Sequence, residues 1–149
     1  MKLLLHACCG PCSLEPVRIL AEAGHDITIA YLNSNIAPAS EYEHRIKTLL
    51  EWAKSQNIPV IEGPYEPATW QNAIKQNWDG TQENRADRCR ACYRIRLEEL
   101  ARYAYEHGFE GIGTTLTVSP YQYTDIINEE LERAAAPYEG LLAVFQDFR

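Results

Sequence analysis

Apolar positions along the chain come in two rhythms, short continuous runs and helical stripes, and they alternate. Leu3 to Leu5 is a short run, and Leu14, Val17, Leu20 and Ala21 then recur at helical spacing until Gly24 supplies a stop. Ile27 to Leu32 is apolar on both faces, which predicts a central strand of a sheet covered on both sides. Asn33 to Pro38 reads as a loop, and Ser40 with Glu43 as a capping box opening a helix that turns Tyr42, Ile46, Leu49, Leu50 and Ala53 inward and stops near Asn57. Val60-Ile61 is a third strand, ended by Gly63-Pro64.

A less regular stretch from Pro64 to Asp87 holds a helix carrying Trp70, Ala73, Ile74 and Trp78, with a turn at Asp79-Gly80. Arg88 to His107 predicts the longest helix, burying Tyr93, Leu97, Leu100, Ala101 and Ala104, with Gly108 as its stop. Gly111 to Leu116 is a fourth strand. Ser119-Pro120 caps a helix carrying Ile126, Ile127 and Leu131, and Leu141 to Phe145 is the last strand. Five strands alternating with helices predict an α/β fold, a three-layer Rossmann-like sandwich around a mainly parallel sheet, with 1–149 as a single domain.

Cysteine placement changes this from a fold to a site. Cys8-Cys9-Gly10-Pro11-Cys12 sits where the first strand hands over to the first helix, and open α/β sheets collect ligands beyond the carboxyl ends of their strands. Cys89 and Cys92, three apart in the predicted first turn of the long helix, share one face near the positive end of its dipole. Core packing does not ask for such grouping. Thiolates in this pattern suit zinc or an iron–sulfur cluster, and spacing alone does not choose between them. Cys9-Gly10-Pro11-Cys12 also resembles a reactive dithiol, although Cys8 and the second pair weigh against a thiol oxidoreductase.

Composition excludes several classes. No stretch approaches the roughly 20 apolar residues of a membrane span, and the apolar start is too short for an export signal, so a cytoplasmic protein is expected. The net charge of −7 argues against general nucleic-acid binding. Yet Arg85, Arg88, Arg90, Arg94 and Arg96 stand against Asp87 alone, concentrating cation around Cys89 and Cys92, where it would steer an anionic partner such as an RNA backbone.

Separated motifs together resemble a known family. They are His6-Ala7-Cys8-Cys9-Gly10-Pro11-Cys12-Ser13; Asn35-Ile36 with Pro38, Glu41-Tyr42 and Arg45; Cys89-Arg90-Ala91-Cys92-Tyr93 with Arg96-Leu97; and Thr114-Thr115-Leu116 with Ser119-Pro120-Tyr121. In order, from Leu4 to Arg149, they resemble the cobalamin-independent epoxyqueuosine reductases of the QueH type. The resemblance implies a tRNA-modifying oxidoreductase that reduces epoxyqueuosine in the anticodon loop to queuosine. It implies a 4Fe-4S cluster on Cys8, Cys9, Cys89 and Cys92, a second metal, iron or zinc, beside it, and Cys12 on one or the other. Partners would be tRNA carrying epoxyqueuosine and an unidentified electron donor. The family pattern continues to a Tyr-Cys-Gly-Cys-like tail beyond Asp147-Phe148-Arg149, so the resemblance implies a truncated member or one that has lost part of the site. It also hints at nucleotide-binding folds of the HUP or PP-loop kind, but the loop after the first strand lacks their phosphate cradle and ATP is not expected.

For positioning or proton supply the residues at the carboxyl edge are His6, Glu41 and Tyr121. Asn33, Asn35, Thr114 and Thr115 are the hydrogen-bonding candidates for the loop base, and Arg88, Arg94 and Arg96 for the RNA backbone. A zinc-stabilised RNA- or protein-binding domain is the alternative from another class.

Overall fold

Alternation along the first strand sets the layers: Leu3 and Leu5 enter one core, and Leu4 enters the other. In the computed structural model the strand β1 is Lys2–His6, followed by α1 (Gly10–Glu22), β2 (Asp26–Tyr31), α2 (Ala39–Ser55) and β3 (Val60–Glu62). Then come α3 (Pro67–Asn77), α4 (Arg85–Glu106), β4 (Gly111–Thr114), α5 (Thr124–Ala135) and β5 (Leu142–Ala143). The structure describes residues 1–7, 10–36, 38–77, 80–81, 85–116 and 124–145, with the side chains of 10–14, 77 and 85 excepted.

Five parallel strands lie in the order β3-β2-β1-β4-β5. Side chains of α1 and α2 cover the face of Leu3, Leu5, Ile29 and Tyr31, while α4 and α5 cover that of Leu4, Ala30 and Ile112. This is the three-layer α/β sandwich that the alternating pattern predicts. No helix among the described residues is long and apolar enough to cross a membrane.

The long helix buries Tyr93, Leu97, Leu100, Ala101 and Ala104 as its spacing requires. Gly24 and Gly108 end α1 and α4 at φ +94° and +77°, a region open to glycine at little cost. Several boundaries differ from expectation, each for a local reason. Pro38 (ψ 176°) is the N-cap of α2 and its carbonyl takes the Glu41 and Tyr42 N–H groups, so Ser40 lies inside the first turn and makes no capping box. Leu50 falls off the inward stripe and is exposed.

Helix α4 begins at Arg85, which moves Cys89 and Cys92 to its second turn and away from the terminal N–H groups. Strand β4 stops at Thr114 because its partner β1 ends at His6, leaving a final Thr115 N–H bond to the His6 carbonyl (2.9 Å). At the edge, β5 pairs only with Gly111 and Ile112 and is shorter than the apolar run suggests. Trp78 and the Ser119-Pro120 cap lie outside the described residues.

Candidate functional site

Strand order reverses at β1, whose neighbours β2 and β4 lead away in opposite directions, and the carboxyl ends of these strands frame the crevice where such sheets bind ligands. His6 closes β1, fully buried, between Asn33 from the end of β2 and Thr114 from the end of β4. The Asn33 amide is oriented by its own donation, Nδ2–H to the Ala7 carbonyl at 2.9 Å, which turns Oδ1 to His6 Nε2 at 2.9 Å. An amide oxygen only accepts, so Nε2 carries the imidazole proton. Nδ1 is then bare and accepts from the Thr114 hydroxyl (3.0 Å), whose oxygen accepts the Leu116 N–H (3.2 Å). His6 is therefore neutral and fixed as one tautomer. Burial above all, then the charge of Arg96, brings its pKa down to about 3 against the smaller opposing effect of the Asn33 bond.

Cys89 and Cys92 share a face of α4, the first half-buried and the second buried. The Cys92 sulfur receives two N–H donors, Trp70 Nε1 at 3.2 Å and Arg96 Nη2 at 3.3 Å. Trp70 arrives from α3, whose Ile74 packs on Ala91 and Cys92. Arg96 is buried one turn along α4, with Nε on the Cys92 carbonyl (3.4 Å) and Nη1 making a long bond to Asn33 Oδ1 (3.5 Å). A chain of bonds thus runs from the Ala7 carbonyl, next to Cys8, through Asn33 and Arg96 to the Cys92 sulfur.

Cys8, Cys9, Tyr121 and the Cys12 side chain lie outside the described residues. Among the described residues no three histidine, cysteine or acidic side chains gather as a metal site. What is described of the cysteine set fits a metal or cluster: the Cys92 sulfur faces two N–H donors, one of them cationic, surroundings that suit a ligand sulfur.

The other predicted residues fall into distinct places. Asn33 and Thr114 are consumed by His6, whereas Asn35 Oδ1 and Thr115 Oγ1 are buried with no hydrogen-bond partner among the described residues. The loop bearing Asn35 is pinned from outside the crevice, since Tyr65 donates to the Ile36 carbonyl (2.6 Å) and Ser34 bonds Pro64 and Glu66. Glu41 accepts from Arg45 Nε at 2.7 Å, and that bond above all holds its carboxyl below the usual range. Arg88 lies over the Trp70 ring, 5.5 Å from its centre.

Arg94 does not face outward alone. With Arg90 it binds Glu130 of α5, each at 2.9 Å, and the Glu130 side chain is entirely buried. Burial pushes that carboxyl up, but the bonds from Arg94 and Arg90 outweigh it and leave it below the usual range. Sequence reasoning missed Glu130, although its position between Ile127 and Leu131 on the apolar stripe of α5 is a signal. A cavity of about 350 Å³, lined by Leu32, Ser34, Glu66, Trp70, Arg96 and Glu99, opens beside Cys92.

The model of the Epoxyqueuosine reductase QueH family matches residues 3–149. The Epoxyqueuosine reductase QueH of Staphylococcus aureus is 36% identical over 134 residues, 86% of this chain and 55% of that protein. That of Haemophilus influenzae is 35% identical over 142 residues, 95% of this chain and 57% of that protein. The Thermotoga maritima protein of the same name is 30% identical over 149 residues, 98% of this chain and 74% of that protein. The chain spans little more than half the length of the first two relatives.

Proposed function

The chain belongs to the epoxyqueuosine reductase QueH family, and from that premise we propose that it takes part in reducing the epoxide of epoxyqueuosine in tRNA to queuosine, in the cytoplasm. In this reading Cys8, Cys9, Cys89 and Cys92 hold a 4Fe-4S cluster, and Cys12 is left for the second metal, iron or zinc. The observation that carries it is the bonded chain from Ala7 to the Cys92 sulfur, which ties the segment entering Cys8-Cys9 to the second cysteine pair.

Removing the epoxide oxygen as water consumes two electrons and two protons, and no side chain other than a thiol pair supplies electrons. When bound, the cluster supplies them one at a time. Around it the residues have separate tasks. His6, neutral with its single N–H given to Asn33, holds the ends of β1, β2 and β4 at fixed spacing and has no proton to give at neutral pH. Asn35 Oδ1 and Thr115 Oγ1, buried and without a partner among the described residues, offer an acceptor and a hydroxyl to the nucleoside, which supports their assignment to substrate. Proton supply falls to Tyr121, since the Arg45 bond that lowers the Glu41 carboxyl makes that group a poor acid, and the external electron donor is a further partner.

Anaerobic purification with iron, zinc and sulfide analysis tests this. About four irons and four sulfides per chain are expected in a brown protein. Cys89→Ala and Cys92→Ala should each lose the cluster, and full iron in those variants would sink the assignment. One zinc without sulfide would favour the zinc-stabilised binding domain, and a metal-free protein the thiol oxidoreductase. Conversion of epoxyqueuosine to queuosine in tRNA, read by nucleoside analysis after digestion, tests the activity itself.

A further inference from the structure

Arg96 is a buried cation with no carboxylate partner among the described residues. That is costly unless a negative charge lies within reach. Glu66 and Glu99 line the same cavity as Arg96 without an ion pair to it, and its bonds go instead to the Asn33 amide oxygen, the Cys92 carbonyl and the Cys92 sulfur, with the Tyr93 ring at 5.9 Å. Its bond to that sulfur, at 3.3 Å, is the shortest it makes among the described residues. Trp70 makes the same choice: its one N–H is given to a sulfur, a weak acceptor when protonated and a good one when charged. Two donors from two helices converging on one buried sulfur are what a ligand to an electron-carrying centre requires, because hydrogen bonds and positive charge at a ligand sulfur stabilise the more negative, reduced state.

We propose that Trp70 and Arg96 are positioning residues that raise the reduction potential of the cluster through the Cys92 sulfur. The inference rests on the cluster reading above. Both side chains also line the 350 Å³ cavity, so a molecule entering it meets these two groups directly.

The test is a redox titration, followed by electron paramagnetic resonance, of the anaerobic protein and three variants. Trp70→Phe keeps an aromatic ring, smaller than indole, and removes the N–H donor; the Trp52→Phe control carries the same change of size. It should lower the potential, changing the oxidised-to-reduced ratio at fixed poise by about tenfold, which is about 59 mV for a one-electron couple. Arg96→Met should lower it further, and Arg96→Lys, which keeps the charge and loses the planar fork, should recover part of that fall. Trp52→Phe, at the opposite end of the sheet beside Asn57 and Pro59, is the control and should leave the potential unchanged. Since Trp70 is only half-buried and phenylalanine keeps an aromatic ring there, Trp70→Phe decides the matter should either arginine variant fail to fold. Wild-type iron and sulfide in Trp70→Phe with the potential of the control would overturn this inference and leave the cluster standing. A wild-type protein without iron or sulfide would overturn both.

Discussion

Asn33 and Asn35 leave the same strand, and Thr114 and Thr115 are adjacent, yet the first of each pair is locked and the second is not. Asn33 holds Ala7 and His6, and Thr114 links Leu116 to His6. Asn35 Oδ1 and Thr115 Oγ1 are buried and bonded to nothing among the described residues. Orphaned buried polar atoms are uncommon because each forfeits its bonds to water. Two of them flanking a saturated network divide the crevice into a fixed floor and a polar lining without partners. Residue type does not separate these roles; the neighbours do.

The floor should fail first in acid. Unfolded, His6 takes a proton near the ordinary value of 6.5, but folded it does so only near about 3. Between those values the unfolded chain binds more protons, so stability is fully present above about pH 6.5 and falls as the pH drops, by roughly 1.4 kcal/mol per unit from this one group. Denaturant melts of the wild type and His6→Asn from pH 7 to 4 measure it. The wild type should show the steeper loss over that range, and equal slopes would show that the imidazole is not held neutral.

Helix α4 carries the same contrast at larger scale. Arg94 and Arg96 are two residues apart, one bound with Arg90 to the buried Glu130 and the other turned to sulfur. Removing Arg90 and Arg94 together leaves Glu130 charged, buried and largely unpaired, since Arg133 approaches it only at 3.9 Å. Loss of a buried partner costs about 3–5 kcal/mol, here toward the lower end because water reaches both arginines. The double alanine variant should melt accordingly lower, and adding Glu130→Leu should recover most of the loss. No recovery would mean that the arginines stabilise α4 in some other way.

Periodicity made the layers legible because a strand covered on both faces and a helix covered on one leave different apolar spacings, as in Ile27 to Leu32 and Tyr93 to Ala104. Helix starts were less so. Ser40 with Glu43 satisfies the sequence rule for a capping box, but Pro38 captures the first turn and Ser40 lies inside it. The cysteines could be found by their clustering, whereas the destination of each arginine could not, because it depends on what packs against α4. Arg96 in the sequence is one more cation in a basic run; in the fold it is inside, beside Cys92. Trp70 at helical spacing reads as core and is only half-buried, its N–H on a sulfur 22 positions away in the chain.

The smallest expected effect separates floor from lining most directly. Valine is close in shape to threonine and lacks only the hydroxyl, so Thr114→Val and Thr115→Val differ in what that hydroxyl was doing. At 114 the change strips a partner from His6 Nδ1 and from the Leu116 N–H, both buried, and should cost about 1–3 kcal/mol. At 115 it removes an oxygen that has no bond among the described residues, and the stability should stay put or rise slightly, within about 0.5 kcal/mol. Activity should run the other way if the lining meets the nucleoside. Thr115→Val should then lower turnover of epoxyqueuosine-containing tRNA at unchanged stability, while the residual activity of Thr114→Val follows its folded fraction. Equal stability losses in the two variants would mean that the Thr115 hydroxyl already has a partner in the folded protein, and the division between floor and lining would not hold.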